Sequence, residues 1–136
     1  MVDVSDKPVT ARRATAEALV AVSPETMSLV IDGGGSKGDV LTVAELAGVM
    51  GGKRTSELIP LCHPLALTHV DVRLEVVDGG VAIQATAETA AQTGVEMEAL
   101  TAVSVAALTV YDMAKAIDAA MKIEGIELVE KTKEPL

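Results

Sequence analysis

The sequence predicts an α+β fold: one antiparallel sheet with helices packed on one face. Three observations predict it. Residues 13–22, 70–76 and 81–88 alternate apolar and polar side chains, the period of half-buried strands. Residues 93–121 contain no Pro, and no Gly after Gly94; Ala, Leu, Met and Val dominate, which makes one long buried helix. The elements follow the order strand, helices, strand, strand, helix, strand, which is the split βαβ, ferredoxin-like arrangement.

The elements justify themselves in turn. Residues 1–10 are polar and expected to be loose. In the first strand Ala14, Ala16, Ala18, Val20 and Val22 face one way, and Arg13, Thr15 and Glu17 the other. Ser23-Pro24 reads as an N-cap with Pro at the first helical position, opening a short helix over 24–31. Gly33-Gly34-Gly35 stops it, and D-G-G-G-S-K-G-D, residues 32–39, is the most flexible-looking stretch. Helical spacing resumes over 40–50, where Gly51-Gly52 is expected to end the helix, and Thr55–Leu58 adds one turn. In L-I-P-L-C-H-P-L, residues 58–65, Pro60 and Pro64 bracket Leu61-Cys62-His63 and predict an extended, stiff segment. Asp78-Gly79-Gly80 joins two alternating strands into a hairpin. The long helix is expected over 95–120, capped by Thr93 with Glu96 three residues on. Its apolar face is Ala99, Val103, Ala106, Val110, Met113 and Ile117. A short strand over 126–130 follows, and 132–136 is expected loose. No repeat or linker divides the 136 residues, so one domain is expected.

Composition narrows the function. There is no Phe or Trp and one Tyr, so the core is packed with small and aliphatic side chains, and oligomerisation is a natural source of further burial. A net charge of −9 argues against nucleic acid as a partner. The single Cys62 makes no internal disulfide, which suits a reducing cytoplasm. No apolar run suggests a membrane span, and no signal pattern opens the chain.

Four groups of residues can carry chemistry. Lys37 in its Gly-rich loop can present a charge and backbone N–H groups to phosphate, although the P-loop spacing is absent and a plain mobile loop reads the same way. His63, between two prolines, is either a proton carrier or a hydrogen-bonded structural histidine; His69 is expected to be merely exposed. Cys62 has no second Cys or His at ligand spacing, so no metal site is expected, and a buried inert thiol competes with a nucleophile. On the long helix, Asp112 and Lys115 stand at i, i+3, either as a structural ion pair or as part of a site with Glu96 and Glu98. Fourteen residues separate Glu98 from Asp112, roughly 21 Å along a helix. One helix cannot bring both ends to one small ligand: either there are two sites, or a second subunit completes one. Lys53, Arg54 and Lys131 add local positive charge to an acidic chain.

Together L-I-P-L-C-H-P-L, the loop K-G-D-V and T-G-V-E-M-E-A-L-T-A-V-S-V-A-A-L-T-V-Y-D-M-A-K-A resemble the cyclic pyranopterin monophosphate synthase family of molybdenum-cofactor biosynthesis. The similarity runs from Met1 to about Lys131. The resemblance implies a ferredoxin-like domain assembled as a trimer of dimers in the cytoplasm. It implies a lyase that converts 3′,8-cyclo-7,8-dihydroguanosine 5′-triphosphate to cyclic pyranopterin monophosphate and releases pyrophosphate. It carries catalytic roles onto Asp112, Lys37, His63, Lys115 and Lys131, and substrate contacts onto Leu61, Cys62, His63, Glu96, Met97 and Glu98. No cofactor is implied with certainty; Mg²⁺ can travel with the triphosphate. Members often carry bulkier or basic residues where this chain has Gly34, Gly35 and Ser36, and a Gly-rich basic tail where it reads K-T-K-E-P-L. A non-catalytic ligand-binding module on the same fold is the competing reading.

Overall fold

A computed structural model describes residues 1–33 and 35–136; Gly34, part of the expected phosphate loop, lies outside the described residues. The elements are β1 (Thr10–Ala21), α1 (Pro24–Ile31), α2 (Val40–Lys53), α3 (Thr55–Leu58), β2 (Leu67–Val77), β3 (Gly80–Ala91), α4 (Glu96–Ala114) and β4 (Lys122–Glu134). The sheet order is β2-β3-β1-β4, with every pair antiparallel, which is the ferredoxin-like order the element sequence predicts. α4 lies across β1 and β3, and α2 packs on α4 and β2.

Alternation decides which strand faces meet the helices. Ala14, Ala16, Ala18 and Val20 of β1 are buried, as are Val81, Ile83, Ala85 and Ala87 of β3. The opposite face carries a polar ladder in direct register: Arg13 with Glu88, Thr15 with Thr86, Glu17 with Gln84. Each pair is bonded, at 2.8, 3.0 and 3.2 Å respectively. Exposed His69 stands at the start of β2, as expected.

Three helix boundaries differ from the sequence reading, each for a packing reason. Gly51-Gly52 does not end α2, which continues to Lys53. Gly48, Gly51 and Gly52 are instead the surface on which α4 rests: a Cβ on Gly48 would lie 3.0 Å from the Ala102 carbonyl oxygen, and one on Gly51 2.7 Å from Val105 Cγ2. Glycine is tolerated inside this helix because it lets two helices approach closely. At the other helix the N-cap is Val95, without a side-chain cap, rather than Thr93. Val95 is buried and already committed to the core, so the chain enters the helix from a packed residue. The helix then stops at Ala114, not Ala120. Asp118 draws the chain away: its carboxylate accepts from Ser23 N–H (2.8 Å), Thr26 Oγ1 (3.0 Å) and Ala120 N–H (3.0 Å). Ile117, expected on the apolar face, is therefore exposed.

The remaining differences lie at the edges. Ile59–Cys62 is not fully extended but forms a turn closed by Cys62 N–H on the Ile59 carbonyl (3.1 Å), with Pro60 second in the turn. β4 is far longer than 126–130 and pairs through Glu134, so 132–134 is not loose. The first residues are tied as well: Gln92 Nε2 donates to the carbonyls of Ser5 and Lys7. Finally, α4 is long and apolar enough to cross a membrane by length and composition, which the sequence reading did not expect. Its buried face of Ala99, Ala102, Val103, Ala106, Ala107 and Val110 identifies it as the core helix of this fold.

The glycine surface on α2 makes a stability prediction. Gly51→Ala gains about 1 kcal/mol of helix propensity, but it forces the new methyl onto the stiff Val105 side chain, an overpacking cost of about 1–3 kcal/mol. The urea midpoint is expected to fall, and adding Val105→Ala is expected to recover part of the loss. An unchanged midpoint in the single variant would show that α2 is free to move off α4.

Candidate active site

The expected site residues fall into two groups, one at each end of α4. At the C-terminal end are Lys37, Asp112 and Lys115. Lys37 sits in a tight turn in which Gly38 N–H donates to the Gly35 carbonyl (3.1 Å), and Gly38 has φ +100°, a conformation glycine adopts without strain. From that turn its ammonium reaches Asp112 Oδ2 at 3.1 Å and the Asp112 carbonyl at 3.3 Å. Lys115, one helical turn on, reaches Asp112 Oδ1 at 2.8 Å. The i, i+3 ion pair therefore exists, with a second lysine added from a distant loop. Asp112 and Lys115 are not buried, as a helix apolar on most sides had suggested; their side chains are 54% and 57% exposed. Hydrogen bonds from Lys115 and then Lys37 hold the Asp112 carboxyl below the usual carboxylate range, and Asp112 in turn raises Lys115. Lys115 also caps the helix C-terminus, where a cation is favoured.

At the N-terminal end are Cys62, His63, Glu96, Glu98 and Lys131. Here the buried charge is Glu98, whose residue is only 3% exposed. Neither of its carboxyl oxygens has a hydrogen-bond partner among the described residues, and Glu96 Oε2 has none either. Desolvation, reinforced by Glu96, pushes the Glu98 carboxyl up to about 7. The helix N-terminus favours the anion by about 0.3–1 kcal/mol, too little to offset a burial cost of several kcal/mol. Burial and then Glu98 and Glu96 also push the Cys62 thiol up, which disfavours a thiolate nucleophile. His63 Nε2 lies 2.6 Å from the Val2 carbonyl oxygen. Leu61 is 72% exposed, and Met97 is half-buried between the two glutamates in sequence.

Lys131 reaches this group through a bulge. It lies opposite Ala14, and Leu128 opposite Ala16, so both pairs point to the helix side of the sheet. Three positions separate Leu128 from Lys131 where strict alternation needs an even number. The register shift between Thr15 and Ala16 absorbs the extra residue. Lys131 Nζ then pairs with Glu96 Oε1 at 3.3 Å.

Three contributors escaped the sequence reading. Asp118, just past the end of α4, joins that exit to Ser23 and Thr26 at the start of α1, and so ties the end of the helix that carries Asp112 to the α1 cap. Gly94 leaves room for Glu96, whose carboxyl a Cβ there would strike. Val2 holds His63. An aspartate three residues beyond Lys115, next to a Ser-Pro cap in space, has no local sequence signal.

The raised Glu98 carboxyl fixes a pH dependence. The folded state binds a proton more tightly than the unfolded state, whose value is 4.5, so stability falls as pH rises from about 4.5 to about 7. Glu98→Gln removes this contribution. Its denaturation midpoint is expected to exceed that of the native sequence more at pH 8 than at pH 5, and equal differences would mean that Glu98 is solvated.

Comparison of the sequence with known proteins identifies its relatives and its family. Proteins named cyclic pyranopterin monophosphate synthase in three strains of Cereibacter sphaeroides (ATCC 17029, KD131 and ATCC 17023) are each 59% identical over 133 residues, spanning 96% of this chain and 84% of the relative. The family match covers residues 1–134, every element described above, and the chain belongs to the MoaC family.

Proposed function

We propose that this chain is the lyase of molybdenum-cofactor biosynthesis that converts 3′,8-cyclo-7,8-dihydroguanosine 5′-triphosphate to cyclic pyranopterin monophosphate with release of pyrophosphate. One observation carries the reading at the level of residues: two ammonium groups, from Lys37 and Lys115, converge on Asp112 at one end of α4, and the other end carries buried carboxyl oxygens that have no partner among the described residues. A substrate with a polyanion and a guanine-like N–H edge needs both. Glu96 and Glu98 would accept from that edge, which satisfies the orphaned oxygens. Lys37, Lys115 and Lys131 would hold the triphosphate and the charge that develops as pyrophosphate leaves.

Asp112 and His63 would move protons as the purine-derived ring opens and the pyranopterin closes. Held by two lysines, Asp112 is a weak base. Those ion pairs are exposed and screened by solvent, so each is weak. A phosphate forming charge-assisted hydrogen bonds of about 1.5–3 kcal/mol can draw the ammoniums away. Substrate binding would then restore basicity to Asp112 at the moment it is required. A divalent cation would arrive with the triphosphate; among the described residues no group of three His, Cys, Asp or Glu stands ready to hold one.

The two ends of α4 must meet at one ligand, so the site is read as shared between copies of the chain in the cytoplasm. The Lys37–Asp112–Lys115 group of one copy would close over the Cys62–Glu98 group of another. Exposed Leu46, Leu58, Leu61 and Leu108 supply apolar surface for such contacts, and six copies, as a trimer of dimers, follow from the family resemblance.

Purified protein given the cyclised GTP intermediate is expected to form pyranopterin phosphate and pyrophosphate together; tight binding without turnover would favour the non-catalytic module. Asp112→Ala and His63→Ala are each expected to lower turnover by orders of magnitude. After subunit exchange their mixture is expected to regain part of the activity, because some interfaces then hold one intact site. A mixture that exchanges subunits yet stays inactive would place both residues of one site on the same chain.

A further inference from the structure

We infer that the N-terminal segment is a positioning element that fixes the protonation of the His63 ring, with the hydrogen on Nε2 and Nδ1 as the nitrogen that exchanges protons with substrate. The inference rests on the reading of His63 as a site residue. Its starting point is the 2.6 Å contact between His63 Nε2 and the Val2 carbonyl oxygen. A backbone carbonyl only accepts hydrogen bonds, so Nε2 must carry the hydrogen. In the neutral ring the lone pair is then on Nδ1, which has no hydrogen-bond partner among the described residues.

The Val2 carbonyl is held in place by more than this one bond. Gln92 Nε2 donates to the Lys7 carbonyl at 3.0 Å and to the Ser5 carbonyl at 3.3 Å. Lys7 N–H donates to the Val4 carbonyl at 2.9 Å, and Ser5 N–H to Asp3 Oδ1 at 2.9 Å. The segment therefore lies as a strap from the end of β3 to the His63 ring. Val4, His63, Pro64, Gln92 and Thr93 line one cavity of about 310 Å³, so the ring borders a concavity rather than open surface. Pro64 restricts the backbone at His63, but it does not set the rotation of the ring. The Val2 carbonyl does.

The proton balance is simple. Nδ1 takes a proton from a substrate O–H or N–H, and the ring becomes imidazolium. Nε2–H stays on the Val2 carbonyl throughout and stabilises that charge. Nδ1 later returns its proton to the product, and the ring regains its starting tautomer.

The protein has two histidines, which makes the ring nitrogens directly assignable by ¹⁵N NMR of the full chain, with His69→Gln identifying the His63 signals. At alkaline pH, His63 is expected to show an Nε2–H that exchanges slowly with water and couples to a ¹³C-labelled Val2 carbonyl, while the exposed His69 shows neither. Gln92→Ala unties the strap without touching the ring. It is expected to abolish that protection and to lower kcat several-fold while KM changes less than twofold. An Nδ1–H in the native sequence, or an unprotected Nε2–H, would overturn the assignment. Unchanged protection and kcat in Gln92→Ala would remove the strap as its cause. If the native protein binds substrate without turnover while the Val2 coupling is present, the enzyme reading fails and the tautomer stands.

Discussion

Close packing of α4 against β1 and β3 is the constraint on which the rest of the structure depends. Both surfaces are built largely from alanine and valine. Small side chains let a helix settle near a sheet, but each buries little area, at about 25 cal/mol per Å². The fold compensates by making the layer nearly continuous: α4 is buried by the sheet on one side and by the glycines of α2 on another. Without those glycines α2 would stand off from α4, and the polar Glu98 and Thr101 on α4 would be more open to water. Instead both are buried. The cost of burying Glu98 thus follows directly from how the core is packed.

The same helix sets the geometry of the site. A rigid rod carries Glu96 and Glu98 at one end and Asp112 near the other, and nothing in one chain bends it. Every other site residue is attached to one of these ends by a different device. A glycine-flanked turn brings Lys37, a strand bulge brings Lys131, a proline turn brings His63, and Asp118 pins the helix exit to the cap of α1. These attachments are local solutions around a fixed spacing, which is why a shared site is the natural way to use all of them.

Much of this was legible in the sequence because period and cap chemistry are local. The alternation in β1, β2 and β3 reads correctly, Ser23-Pro24 places α1 without error, and the order of elements gives the sheet. What was not legible depends on contacts distant along the chain. Gly51-Gly52 looks like a stop signal unless α4 is known to lie against it. The end of α4 depends on Asp118 meeting Ser23 and Thr26, about ninety residues away. β4 reads as five residues because it is an edge strand, exposed on both faces, and because its bulge breaks the alternation. The site itself was split by helix arithmetic alone. Which carboxylate is buried could not be read, since Asp112 and Glu98 look alike until α2 covers one of them.

That last difference sorts the two carboxylates by function. Asp112 has exposed partners that can be exchanged: two ammoniums on flexible stems, each bound weakly enough for an incoming phosphate to compete. Its protonation chemistry can therefore change when a ligand arrives. Among the described residues the Glu98 carboxyl oxygens have no partner, and the side chain is shielded from solvent, so its chemistry is set by the core before any ligand arrives. A buried carboxyl with two unfilled oxygens gains most from a ligand that brings N–H donors, because each new bond replaces a missing interaction rather than a water. The core thus stores at one end of α4 an unfavourable burial that only the right ligand relieves, and leaves at the other a charge cluster loose enough to respond to it.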